Sequence, residues 1–191
     1  MNKAVFLDRD GTINVEKSYL YQISEFRFVP GALEALKILQ DAGFLLIIIT
    51  NQSGIARGYY TERQFQELTD WMLQKMAVSG IKISKVYYCP HLPDAKIEKY
   101  RMVCECRKPN LGMFQKAIDD YNISLTESFT IGDKIRDCAI CEKTLCRGFL
   151  IGHNERTEII DSVNAGNYTR TKYAESLLEA AQEICMYKRR L

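Results

Sequence analysis

Ala4-Val5-Phe6-Leu7-Asp8-Arg9-Asp10-Gly11-Thr12 is the stretch whose reading decides the fold. Its four apolar residues in a row, with no polar face, suit a strand buried on both sides of a parallel sheet. The run then meets two carboxylates separated by one residue. Carboxylates at the end of a buried strand are costly to place unless a cation or a proton stabilises them. A divalent cation would do so, and oxygen donors beside a phosphate group favour magnesium. Gly11 lets the backbone turn sharply there.

Outward from this point the chain alternates strand and helix. Phe44 to Ile49 is a second continuous apolar run, and Lys85 to Cys89, Phe129-Thr130-Ile131 and Gly148 to Ile151 read as further strands. Pro30-Gly31 opens a helical stripe of Leu33, Leu36 and Leu39 that stops at Gly43. Thr61 with Gln64 forms a capping box, and the helix behind it points Phe65, Leu68, Met72, Leu73 and Met76 at a core. Leu111 to Tyr121, Arg136 to Thr144 and Ala174 to Tyr187 read as helices. The alternation predicts an α/β fold whose parallel sheet is covered on both faces, with ligands bound beyond the carboxyl ends of the strands.

The residues at those ends are chemically loaded. The second run ends in Thr50-Asn51-Gln52-Ser53-Gly54, whose hydroxyls, amides and free N–H groups suit phosphate oxygens. Lys108 precedes Pro109 and a predicted helix, and offers a point charge for phosphate. Ile131 runs into Gly132-Asp133-Lys134-Ile135-Arg136-Asp137, where Asp133 is a third strand-end carboxylate and Asp137 caps or braces the loop.

The seven cysteines fall in two groups. Cys89-Pro90-His91 and Cys104-Glu105-Cys106 supply three thiols and an imidazole, the donor set of a closed structural zinc site. Such a clamp would order the loop 89–107, which has little apolar periodicity, and fix Arg107 and Lys108 beside the strand ends. Cys138, Cys141 and Cys146 form a weaker cluster, in which Cys138 and Cys141 fall one helical turn apart and read as packed small hydrophobes, and Cys185 lies on the apolar face of the last helix. His153 receives no role.

Bulk properties narrow the function classes. A formal net charge of +2 over 191 residues gives nucleic-acid binding no support, and the basic Lys188-Arg189-Arg190 reads as a solvated tail. The run Ala4 to Leu7 is too short for a signal peptide, and no stretch approaches a membrane span. The expectation is a soluble cytoplasmic monomer folded as a single domain over 1–191, with its thiols reduced or bound to metal.

The four strand-end motifs, Asp8-x-Asp10-Gly11-Thr12, Thr50, Lys108 and Gly132-Asp133-x-x-x-Asp137, together resemble the haloacid dehalogenase superfamily of phosphatases. The resemblance implies a Rossmann-like three-layer α/β/α fold and a magnesium-dependent reaction through an aspartyl phosphate. Asp8 would be the nucleophile and Asp10 the acid and base, while Thr50 and Lys108 would hold the transferring phosphoryl group. Magnesium would sit on Asp8, Asp133 and the backbone carbonyl of Asp10. The spacing leaves no room for a large cap domain.

Further strings narrow it: Phe6 to Asn14, Thr50-Asn51-Gln52-Ser53-Gly54-Ile55-Ala56-Arg57-Gly58, Tyr88-Cys89-Pro90-His91 and Cys104-x-Cys106-Arg107-Lys108-Pro109. These resemble the zinc-loop subgroup that dephosphorylates heptose bisphosphates in bacterial ADP- or GDP-heptose synthesis, upstream of lipopolysaccharide. Carried over, the small phosphorylated sugar would meet Glu16, Lys17, Ser18 and Tyr19, then Asn51, Gln52 and Ser53, and finally Arg107 and Lys134. Arg107 would recognise the phosphate that is not cleaved. The chain departs from that subgroup at Glu16-Lys17-Ser18-Tyr19, where Asp-x-Gly-Tyr is usual, and at Asn110-Leu111, where His-Pro is common. Histidinol-phosphate phosphatases share the motifs and the zinc loop but lack the Ser-Gly-Ile-Ala-Arg-Gly string. A DNA 3′-phosphatase shares Asp-Arg-Asp-Gly-Thr but calls for a basic groove. A zinc-dependent nucleic-acid module leaves Asp8, Asp10 and Asp133 unexplained.

Overall fold

The computed structural model describes residues 1–187; the basic tail Lys188-Arg189-Arg190 lies outside the described residues. Six parallel strands form one sheet in the order β3-β2-β1-β4-β5-β6. They are β1 (Ala4–Leu7), β2 (Leu45–Asn51), β3 (Ile83–Cys89), β4 (Phe129–Gly132), β5 (Arg147–Ile151) and β6 (Thr171–Ala174). β1 is fully buried in mid-sheet, as its unbroken apolar run predicts.

Strand alternation divides the core into two layers. Val5 and Leu7 face a cluster with Leu36 and Leu39 of α1 (Ala32–Asp41). Leu68, Met72 and Met76 of α3 (Glu62–Val78) and Ala180 and Ile184 of α7 (Leu177–Tyr187) complete that layer. Ala4 and Phe6 face the other way, against Met113, Phe114 and Ala117 of α4 (Gly112–Tyr121). The Phe6 and Phe114 rings meet edge to face at 5.3 Å. Helices on both faces give the three layers.

Local chemistry sets the element ends. Gly31 takes a left-handed backbone (φ 77) just before α1. Thr61 and Gln64 close both arms of the capping box on α3. A short α2 (Ser53–Arg57) follows β2 directly and is stopped by Gly58 (φ 75). Two sequence expectations need correction. Arg136 to Thr144 is a 3-10 turn, Ile135–Cys138, followed by α5 (Ala139–Lys143). The expected helix from Ala174 begins only at Leu177, because Thr171–Ala174 pairs with β5 as the edge strand. Helix α6 (Thr157–Asn164) was not foreseen.

Between β1 and α1 lies a loop with one 3-10 turn, Ile23–Glu25, and between β3 and α4 lies the cysteine-bearing loop. Neither insertion builds a cap domain. Among the described residues, no helix is long and apolar enough to cross a membrane.

Candidate active site

The strand order reverses between β1 and β4, which is where an open α/β sheet leaves a crevice for ligands. Asp8 follows β1 and Asp133 follows β4, on strands paired as Leu7↔Ile131. Both carboxylates are buried, as is Asp137, and one oxygen from each lies within 4.8 Å of the others. Gly11 makes the approach possible. Its φ of +79° suits glycine, and a Cβ there would fall 2.2 Å from an oxygen of Asp133.

Lys108 is the cation among these acids. Its ammonium donates to Asp8 Oδ1 at 2.9 Å and to the Ile49 carbonyl at 2.6 Å, and pairs with Asp137 at 2.7 Å. Burial alone would lower the lysine's pKa; the charges of Asp137 and Asp8 override it and raise it. Asn51 anchors the segment, its amide donating to the Lys108 carbonyl and accepting from the Lys108 N–H, each at 3.0 Å. Asp137 accepts the Lys134 N–H through its side chain, so it braces the loop as well as the lysine.

One ammonium is not enough for three buried carboxylates. Burial, with the charges of Asp137 and Asp10 adding to it against Lys108, raises Asp8 to about 6. Burial and the charges of Asp8 and Asp137 push Asp133 to about 8. The site therefore either holds protons near neutrality or takes a second cation. The donor set is oxygen only, so a hard divalent ion such as magnesium fits it.

Asp10 is held in a different way. The buried guanidinium of Arg9 spans its carboxylate with contacts of 2.8–3.1 Å, Asn14 donates at 3.1 Å and Gln52 at 2.9 Å. Gln52 also donates to the Thr50 hydroxyl at 2.9 Å and accepts from the Tyr60 hydroxyl at 2.5 Å. Its side chain is buried and its hydrogen-bonding capacity is used within the protein. Gln52 thus ties Asp10 to Thr50. Arg9, Asn14 and Tyr60 were not singled out from the sequence. The one available signal was the charged Arg9 lodged between two aspartates, which in a buried turn needs a carboxylate partner.

The cleft above these groups measures about 490 Å³ and gathers the expected residues. Asp8, Asp10, Thr50, Lys108 and Asp133 line it. So do all the residues expected to meet a substrate: Glu16, Lys17, Ser18, Tyr19, Asn51, Gln52, Ser53, Arg107 and Lys134. Arg57, Tyr60, Arg136 and Asn154 join them without having been foreseen. Asn154, from the loop after β5, donates to Asp133 at 3.2 Å. Tyr19 holds a left-handed backbone (φ 61), which is strained for a tyrosine, and its ring packs edge-on against Tyr59 at 4.6 Å.

Cys89, His91, Cys104 and Cys106 converge at the end of β3. Their ligand atoms all lie within 4.8 Å of one another, with Cys89 and Cys106 sulfurs 2.9 Å apart and His91 Nδ1 3.3 Å from the Cys106 sulfur. Tetrahedral zinc with Zn–S of ~2.3 Å spaces its ligands by roughly 3.5–3.8 Å. Three thiols with an imidazole around one point fit such an ion. The clamp reaches the cleft through its neighbours, since Arg107 donates to the His91 carbonyl at 3.3 Å and Lys108 follows it. Asn110 donates to the Cys104 carbonyl at 2.9 Å, which ties the loop to the start of α4.

The fold, with an aspartate pair after β1 and a lysine-braced acid cluster at the switch point, defines a phosphatase of the haloacid dehalogenase class. A family model described as "Polynucleotide kinase 3 phosphatase" matches residues 3–145. A Haemophilus ducreyi protein named D-glycero-beta-D-manno-heptose-1,7-bisphosphate 7-phosphatase is 52% identical over 141 residues, 73% of this chain and 77% of its own length. An Escherichia coli K12 protein of the same name is 47% identical over 134 residues, 70% of each chain. The solved D,D-heptose 1,7-bisphosphate phosphatase of B. bronchiseptica, complexed with magnesium and phosphate, superposes with a TM-score of 0.81 at 27% identity. The match covers 97% of this chain and 99% of that one. The chain belongs to the family matched by that model and, within it, to the heptose-1,7-bisphosphate 7-phosphatases.

Proposed function

We propose that this enzyme removes the 7-phosphate of D-glycero-β-D-manno-heptose 1,7-bisphosphate by two displacements at phosphorus. The observation that carries the reading is the buried Asp8 carboxylate, paired with Lys108 at the base of a cleft that holds every expected substrate residue. Relatives near 50% identity that bear this substrate in their names support it.

Asp8 attacks phosphorus, the bond to the C7 oxygen breaks, and the phosphoryl group is carried on the Asp8 carboxylate. Asp10 gives its proton to the departing oxygen. It then takes a proton from a water that attacks the aspartyl phosphate, which releases inorganic phosphate and restores Asp8. To reach the leaving oxygen, Asp10 exchanges one of its contacts with Arg9, Asn14 or Gln52 for the substrate. Thr50 and Lys108 hold the equatorial oxygens, where charge is spread in the transition state. Magnesium, held by Asp8, Asp133 and the Asp10 carbonyl, supplies the charge that offsets repulsion between the carboxylates and the phosphate.

The loop Glu16 to Tyr19 and Ser53 line the sugar, with Lys134 beside it, and Arg107 reads the 1-phosphate through its planar fork. Zinc on Cys89, His91, Cys104 and Cys106 is structural, since four protein ligands leave no open position. A cytoplasmic location agrees with cysteines placed as a ligand set at Cys89, Cys104 and Cys106 and as buried packing groups at Cys138, Cys141 and Cys146.

Asp8→Asn tests the reading. With contaminating phosphatase excluded, its turnover falls to background; near-normal phosphate release from this variant would remove Asp8 as the nucleophile.

A further inference from the structure

Three arginines line the cleft besides the catalytic lysine. Arg57 ends α2, Arg107 ends the cysteine clamp and Arg136 sits in the turn after β4, and all three line the same cavity. Arg107 is anchored at the cavity by its donation to the His91 carbonyl at 3.3 Å. None of the three forms an ion pair among the described residues. Arg57 Nε is buried without a hydrogen-bond acceptor, while its guanidinium stands 5.9 Å from the Tyr19 ring centroid.

Three like charges drawn together, with a buried donor left empty, cost free energy in the isolated protein. An anion entering the cleft recovers it. Guanidinium groups suit a phosphate, which can take several N–H donors at once. The proposed chemistry places one phosphate on Asp8 and Lys108, so the second phosphate of a bisphosphate is the anion of the right class.

We propose that Arg57 and Arg136 are specificity-determining residues that join Arg107 in a three-guanidinium seat for the phosphate the enzyme leaves intact. The inference rests on the reading of the substrate as a sugar bisphosphate. It assigns Arg57 a binding role beside Tyr19, and makes the Tyr19 ring, 5.9 Å from the guanidinium, the group that supports Arg57 at the cavity wall.

The test compares heptose 1,7-bisphosphate with heptose 7-phosphate, which lacks only the 1-phosphate, in the intact metal-loaded enzyme. The readout is the ratio of their kcat/KM values in wild type, Arg107→Ala, Arg57→Ala and Arg136→Ala, with thermal melting to confirm folding. The ratio is expected to fall about tenfold or more in each variant, the loss of a charge-assisted hydrogen bond, and mainly through KM. If Arg107→Ala loses the preference while Arg57→Ala and Arg136→Ala keep the wild-type ratio, the seat is Arg107 alone and the proposal is overturned. If the wild type shows no preference for the bisphosphate, the substrate reading itself fails and the seat with it. Should Arg57→Ala not fold, Arg57→Lys keeps the charge and loses the fork; an unchanged ratio there removes Arg57 from the seat.

Discussion

Lys108 Nζ lies 2.9 Å from Asp8 Oδ1, a contact between residues 100 apart in the chain, with both side chains buried. The same ammonium pairs with Asp137, so one lysine bridges two acids. Lys108→Met should therefore act on two scales. Loss of phosphoryl stabilisation lowers kcat by ~10²–10³-fold, the usual cost of removing one preorganised donor. Loss of the ammonium that pairs with both Asp8 and Asp137 also destabilises the metal-free protein by about 3–5 kcal/mol. Steady-state kinetics and urea unfolding check both, and an unchanged kcat would place Lys108 outside the reaction.

Gln52 spends its amide on Asp10, Thr50 and Tyr60. As a positioning residue, Gln52→Ala should lower kcat about tenfold while KM moves by less than about threefold. A rise in KM with kcat intact would mean that Gln52 binds the sugar directly, as the sequence alone suggested.

In the metal-free protein, Asp133 is raised to about 8 and Asp8 to about 6. From pH 4 up to those values, the folded chain holds protons that the unfolded chain has released. These two groups thus make stability fall as pH rises through that window. Magnesium must displace the same protons, so its stabilising effect grows with pH. Melting temperatures with and without magnesium, on protein dialysed free of it, should differ more at pH 8 than at pH 5.5. A larger shift at the lower pH would contradict the assignment of these acids to the metal site.

Purified protein should contain one zinc per chain by elemental analysis. Cys106→Ser should lose most of it, melt several degrees lower, and raise KM for the bisphosphate, because the clamp carries Arg107. A zinc-free variant with wild-type melting and KM would show that the four residues do not hold a structural ion.

What could be read from the sequence was governed by distance along the chain. Ala4 to Leu7 and Phe44 to Ile49 announced buried parallel strands because both faces are apolar, and the polar residues at their ends, Asp8 and Asp10 after the first and Thr50 to Ser53 after the second, stood out against that background. The cysteine quartet was legible because few other arrangements bring three thiols and an imidazole together. The Arg9–Gln52 contact and the convergence of Arg57, Arg107 and Arg136 join residues far apart in sequence, and no local pattern marks them. Thr171–Ala174 escaped because an edge strand with partly exposed residues looks like the start of the helix behind it. Helix α6 offers only Ile159, Ile160 and Val163 as an apolar stripe, with Val163 alone buried, so its periodicity was faint.

The most direct test of the central claim is phosphate release in the presence of magnesium, comparing heptose 1,7-bisphosphate with histidinol phosphate. The account predicts a kcat/KM preference for the heptose of about a hundredfold or more, roughly 3 kcal/mol of transition-state discrimination. A preference for histidinol phosphate would contradict the account of the cleft, overturning the roles given to Glu16 to Tyr19 and Arg107, although Asp8 and Lys108 would keep theirs.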